Sequence, residues 1–264
     1  MKLLLLVILT ACAPFKPIHK TYTGHDDNPT RPYQMVLWDD SGNNQAQDAD
    51  LAFFLEGQSQ PPGVSIINIL NWNTIDYTPE TYDYSRIAAM IIDEPFLNHL
   101  NASGDIASCI MNLKSTISQL RAVAPNSKIW VNFSQPELDY QMSGLGDFIF
   151  PEVDVYSVDI YRQYIDPKYD DWLLANRVRP DQKLSMIVST FYEQGVDDPN
   201  EVADMLWDYF NYADAHPEDM YIIVGYKRDA FSQDPGVTYI GESNILATSI
   251  QNVWKFQLNK AIVK

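Results

Sequence analysis

The sequence predicts an α/β fold of the (β/α)8 barrel class, on three observations. Short apolar runs rich in Val, Ile and Tyr recur eight times, and several are followed by helical patterns of three to five turns. This alternation of strand and helix extends over about 230 residues, close to the length of one such barrel. Runs that are apolar on both faces, such as Ala88-Ala-Met-Ile-Ile92, belong to parallel sheets covered by helices. No Gly-rich phosphate turn follows the first run, which argues against an open doubly wound sheet. No Gly/Ser-rich linker divides the chain, so a second domain is not needed.

The first strand, Gln34–Trp38, ends at Asp39 and Asp40, and a helix is expected over Ala46–Leu55. The second, Val64–Leu70, ends at Asn71, Trp72 and Asn73. The third, Ile87–Ile92, ends at Asp93 and Glu94 and precedes a helix over Ile106–Ala122. On that helix Ile106, Cys109, Ile110, Leu113, Ile117 and Leu120 share one face, which makes Cys109 a buried core thiol. The fourth strand, Lys128–Phe133, contains Asn132 and leads into Ser134, Gln135 and Glu137. The fifth, Val153–Ile160, carries Asp159 within it and continues to Tyr161, Arg162 and a helix over Tyr169–Ala175. The sixth, Lys183–Thr190, is followed by Tyr192, Glu193 and a helix over Glu201–Ala213. The seventh, Tyr221–Tyr226, runs into Lys227 and Arg228. The eighth, Val237–Ile240, precedes a closing helix over Asn244–Leu258.

Ahead of this body stand Met1-Lys2, an unbroken apolar run from Leu3 to Leu9, and Thr10-Ala11-Cys12. Seven apolar residues are too few to cross a bilayer, which takes about 20. Leu9-Thr-Ala-Cys12 resembles the bacterial lipobox. The resemblance implies a signal peptide at 1–11, cleavage before Cys12 and a lipid on its sulfur. Ala13 after the cysteine then implies an outer-membrane address in a Gram-negative envelope. Residues 12–32, with four prolines and three threonines after Cys12, read as a tether, leaving 33–264 for the barrel.

The formal charge is −17, and without Lys2 17 basic residues face 35 acidic ones. Such an excess repels nucleic acid and anionic lipid, so no nucleic-acid partner is expected, and membrane contact is expected through the Cys12 lipid alone. The charge itself also serves solubility. With Cys12 acylated, Cys109 has no disulfide partner. The four histidines are scattered, with no zinc spacing, Walker loop or Gly-x-Ser-x-Gly elbow, so neither metal nor cofactor is expected.

In a barrel, chemistry is carried by residues at the carboxyl ends of the strands. Here those ends collect carboxylates, amides and aromatic rings, a combination suited to sugar: rings stack on pyranose faces, amides bond hydroxyls, and paired carboxyls cleave glycosidic bonds. Met90-Ile-Ile-Asp-Glu-Pro95 resembles the strand-end Asn-Glu-Pro of the TIM-like barrel glycoside hydrolases, and Tyr156-Ser-Val-Asp-Ile-Tyr161 is similar to another strand end common among them. The resemblance implies Glu94 as the proton donor and a nucleophilic Glu three strands further on, which falls on Val188-Ser-Thr-Phe-Tyr-Glu193. Asp93 stands where the family has Asn. In the count above the pair follows strands three and six, whereas the family carries it on four and seven.

A second constellation uses Asp93, Glu94 and Asp159, since neighbouring carboxylates raise one another's proton affinity. The catalytic candidates are therefore Glu94 with Glu193 or Asp159. Trp38, Asp39, Trp72, Asp93, Asn132, Gln135, Tyr161 and Tyr192 are expected to bind the carbohydrate. Each has a plainer role. Asp93-Glu94-Pro95 suits an ordinary strand exit, Glu193-Gln-Gly an ordinary loop, and Asp159 an ion pair with Arg162 or Lys227. Trp38 and Trp72 suit core filling as well as ring platforms. The alternative function is a non-catalytic glycan-binding or scaffold lipoprotein on the same barrel.

Overall fold

The computed structural model describes residues 30–39, 49–73, 77–97, 105–159, 167–189, 199–227 and 248–263. Among these described residues ten strands are seen: β1 (Thr30–Arg31), β2 (Gln34–Asp39), β3 (Ala52–Leu55), β4 (Ser65–Asn68), β5 (Ile87–Asp93), β6 (Lys128–Ser134), β7 (Val155–Asp159), β8 (Lys183–Ser189), β9 (Met220–Lys227) and β10 (Ala261–Ile262). The same described residues hold five α-helices: α1 (Ile106–Val123), α2 (Gln135–Met142), α3 (Pro167–Asn176), α4 (Pro199–Ala215) and α5 (Thr248–Leu258). Strands β2 to β9 form one all-parallel sheet in the order β2-β9-β8-β7-β6-β5-β4-β3.

The sheet curls until its edges meet. Val36 and Leu51 form a parallel bridge, the Asp50 amide donates to the Met35 carbonyl at 2.8 Å, and the Met35 amide donates back to the Asp50 carboxylate at 2.6 Å. One aspartate thus stitches β2 to the start of β3, and the eight strands make a nearly closed α/β barrel. The same carboxylate takes a forked pair of bonds from Arg31, at 2.6 and 2.7 Å, whose guanidinium is 1% exposed.

Strand alternation divides the core into two layers. Val36, Trp38, Phe53, Ile66, Ile91, Trp130, Val155 and Val224 are among the side chains filling the barrel. Their neighbours along each strand face outward and pack under the helices in a larger cluster that includes Cys109, Leu113, Ile117 and Leu120 of α1. Asp105 caps α1 by accepting from the Ala107 and Ser108 amides. At Gly225 of β9 an added Cβ would lie 2.9 Å from the Trp254 ring and 3.0 Å from Leu37, so α5 reaches the sheet only over a glycine.

Seven expected strands are present. Two elements differ. The helix expected over Ala46–Leu55 is absent from its described part, 49–55: the chain enters β3 at Ala52, and Ala52-Phe-Phe is buried on both faces, a run whose periodicity cannot separate strand from helix. Helix α2 occupies a stretch without a predicted helix. Among the described residues no α-helix joins β3 to β4 or β4 to β5. The Val237–Ile240 strand lies outside the described residues.

The folded body also begins earlier than residue 33. Thr30 and Arg31 pair with Ala261 and Ile262, which takes residues 30–32 out of the expected tether. Among the described residues no helix is long and apolar enough to cross a membrane. Cys109 is free and buried, as its helical face predicts.

Candidate functional site

With β3 counted, β5 is the fourth barrel strand and β8 the seventh. At the carboxyl end of β5 the alternation Ala89, Ile91, Asp93 turns Asp93 inward, level with Asn132 on β6 and, through it, Ser157 on β7. A line of hydrogen bonds follows that register. Trp130 Nε1 donates to Ser157 Oγ (2.7 Å), Ser157 Oγ donates to Asn132 Oδ1 (2.6 Å), and Asn132 Nδ2 donates to Asp93 Oδ1 (2.7 Å). Trp130, Ser157 and Asn132 are fully buried, while Asp93 is half-buried. The line starts at an indole that can only donate, so each later group has one bonding sense, and the Asp93 carboxylate receives a fixed donor.

Glu94 follows, and its amide donates to the Asn132 carbonyl at 2.8 Å. Its φ is +41°, the one non-glycine residue among those described with a positive φ. That left-handed conformation costs an L-residue about 1–2 kcal/mol, and such strain collects at functional sites because the surroundings must hold it. The Glu94 carboxyl is half-buried, and burial raises its proton affinity above the usual carboxylate range. A group meant to give up a proton near neutrality needs that direction of shift.

Glu137, at the third position of α2, is fully buried. Its Oε2 accepts from the Ser134 amide (2.6 Å) and the Ser134 hydroxyl (2.8 Å), and its Oε1 accepts from the Phe96 amide. Burial pushes its carboxyl up to about 7 against the pull of those three donors, and the nearby Glu94 charge adds to the rise. Cys109 Sγ donates to the Pro95 carbonyl at 3.2 Å, and burial first, then the Glu137 charge, pushes its thiol up to about 12. The thiol is therefore protonated near neutral pH and not a nucleophile.

Because Glu137 is raised in the folded protein, folding takes up a proton between the unfolded value of 4.5 and about 7. The stabilisation is complete below the lower value and is lost as pH rises through the upper one. At about 1.36 kcal/mol per pH unit the loss amounts to roughly 3 kcal/mol. Denaturant unfolding at pH 5 and pH 8 is expected to show it, with a flatter dependence in Glu137→Gln. Equal slopes in the two proteins would assign the effect elsewhere.

The remaining expected residues divide sharply. Asp159 ends β7 on the inner face, half-buried, opposite Ser134 and Ile187. Trp38 is 4% exposed inside the barrel and stacks on Phe53 with centroids 4.8 Å apart, the core-filling one of its two roles. Trp72 is no platform: it is buried in the outer layer, where its carbonyl accepts from Thr116 Oγ1. Gln135 opens α2 and donates to Asp139 on its own helix at 3.3 Å. Asp39 ends β2 in register with Lys227. Glu193, Tyr161, Tyr192 and Cys12 lie outside the described residues.

Glu137, Ser157 and Asn68 were not singled out as site residues. Asn68 ends β4 on the inner face, 3% exposed, and its Oδ1 has no hydrogen-bond partner, which leaves a buried acceptor near the mouth. Glu137 had a readable signal in Ser134-Gln-Pro-Glu137, a capping-box pattern. Ser157 and Asn68 had none, since their inward partners exist only once the register is set.

A cleft of about 530 Å³ lies at the opposite end of the barrel, beside Lys114, Arg121, Asp154 and Arg179. Arg121 and Arg179 both bond Asp154 and nearby carbonyls, which is structural pairing. Among the described residues no group of three or more His, Cys, Asp or Glu side chains could hold a metal ion. No protein-family model matches the chain, and no curated protein matches it.

Proposed function

We propose that this chain is a barrel glycoside hydrolase of the bacterial cell envelope, on a (β/α)8-type fold and tethered by a lipid on Cys12. Glu94 is its general acid, and Glu193, four residues beyond the end of β8, is the partner carboxylate, with Asp159 as the second choice. The observation that carries the reading is Glu94 itself. It is a half-buried carboxyl of raised proton affinity, held at a strained φ just past the fourth of eight parallel strands. Counting β3 moves the Glu94 and Glu193 segments from strands three and six to four and seven, the spacing carried by the retaining hydrolases this sequence resembles.

The surroundings support a polyhydroxyl substrate. Half-buried Asp93 and Asp159 give one side of the mouth carboxylate acceptors, backed by the buried amides of Asn132 and Asn68. Such groups pair with sugar hydroxyls, and no cofactor is needed for acid-assisted cleavage. Glycosidic bond cleavage then takes a proton from Glu94 to the leaving oxygen while the partner carboxylate attacks the anomeric carbon, and water later releases the sugar.

The test is release of reducing ends from a panel of polysaccharides by the full chain and by Glu94→Gln. Cleavage that Glu94→Gln abolishes supports the reading. Binding without cleavage, unchanged in Glu94→Gln, would favour the non-catalytic glycan-binding alternative. For the tether, Cys12→Ser is expected to move the protein from the membrane fraction to the soluble one and to end labelling by palmitate. Membrane retention without Cys12 would remove the lipid anchor from the account.

A further inference from the structure

We propose that Glu137 is a positioning residue for Glu94, clamping the turn that carries it through the Phe96 amide. The proposal rests on the hydrolase reading above for its catalytic consequence, but its geometry stands apart from that reading. The Asp93-Glu94-Pro95-Phe96 turn is held at three points from three elements. Strand β6 takes the Glu94 amide through the Asn132 carbonyl, α1 donates from Cys109 to the Pro95 carbonyl, and α2 takes the Phe96 amide with Glu137 Oε1. These contacts bracket the residue with the strained φ, and they fix where its side chain starts.

A helix cap alone does not explain Glu137. A capping box needs one oxygen to return to the N-cap amide, and Gln serves that purpose as well as Glu. Here one oxygen takes the Ser134 amide and hydroxyl while the other crosses to a turn 41 residues earlier in the chain. Both oxygens face donors, so an amide nitrogen at either position would meet an N–H or O–H head-on. Full burial of the side chain would then leave that clash without water to relieve it. The arrangement is thus matched to the ionised side chain, whose three donors offset part of what burial costs it.

The second effect is electrostatic. The Glu94 charge raises Glu137, and the Glu137 charge in turn raises Cys109. The thiol keeps its proton, so the coupled pair is Glu94 with Glu137. An ionised Glu94 raises the proton affinity of Glu137, since like charges resist joint ionisation, while the rise of Glu94 itself comes from its burial.

The experiment is Glu137→Gln in the full chain, read by carboxyl-carbon NMR titration of labelled Glu94 and by kcat and KM on whichever polysaccharide the wild type cleaves. With the turn unclamped Glu94 loses part of the burial that raises it, so its midpoint is expected to fall towards the usual carboxylate range. Turnover is expected to fall about 10- to 100-fold with KM within about twofold, the pattern of lost positioning. An unchanged Glu94 midpoint would overturn the proposal. If neither protein cleaves any glycan, the hydrolase reading fails while the titration still decides the clamp. Should Glu137→Gln not fold, Glu137→Asp decides it by the same titration: its shorter side chain keeps the charge but falls short of the Phe96 amide, and an unchanged Glu94 midpoint there overturns the proposal.

Discussion

Glu94→Gln is expected to lower kcat on an unactivated polysaccharide by about 10²–10⁴-fold, the usual share of a general acid. On a 2,4-dinitrophenyl glycoside the loss in kcat/KM is expected to be far smaller, because that leaving group departs without a proton. By contrast kcat falls on both substrates, because Glu94 is also the base for the water that releases the sugar. Glutamine matches the shape of Glu94 and is subject to the same cost at φ +41°, so the fold is not the variable. Comparing the two substrates separates proton donation from binding or folding. Equal losses in kcat/KM on both would mean that Glu94 holds substrate or structure and donates nothing. The same residue would be unremarkable as a strand exit, but an ordinary exit has no reason to keep a carboxyl half-buried and strained.

Asp50→Ala is expected to destabilise the protein by about 3–5 kcal/mol, the cost of leaving a buried charge unpaired. Arg31 is 1% exposed, and its forked contact with Asp50 supplies its one carboxylate partner among the described bonds, alongside the Tyr33 and Leu258 carbonyls. The substitution also frees the Met35 amide at the seam where β2 meets the approach to β3. Closure of the barrel thus depends on a side chain outside any strand. Urea unfolding measures the loss, and a double change to apolar residues at 31 and 50 is expected to recover part of it. A loss under about 1 kcal/mol would show that the seam is held by its backbone bonds and packing alone.

Strand content was largely written in the sequence because buried parallel strands read as apolar runs with polar exits. Gln34–Asp39, Ile87–Asp93 and Lys128–Ser134 are of that kind. Ala52–Leu55 was not legible, since three buried residues and a half-buried leucine, with Leu51 and Ala49 before them, mimic a helix turn. That single miss displaced every later strand by one and obscured the strand-four position of Glu94. In the site, Asp93 and Glu94 were legible as the end of an apolar run. What was not legible depended on register: Ser157 reaches Asn132 only because Asn132 and Ser157 are partners across β6 and β7. Trp72 misled because a polar flank suggested the mouth, whereas packing under α1 decided its place.

The most direct measurement is the pH dependence of kcat/KM on a cleaved polysaccharide for the wild type and Glu94→Gln. A bell is predicted for the wild type, with its alkaline limb above the usual carboxylate range because burial raises Glu94. In Glu94→Gln the residual rate should lack that limb. The same bell at the same height in Glu94→Gln would contradict Glu94 as the acid and, with it, the centre of the account.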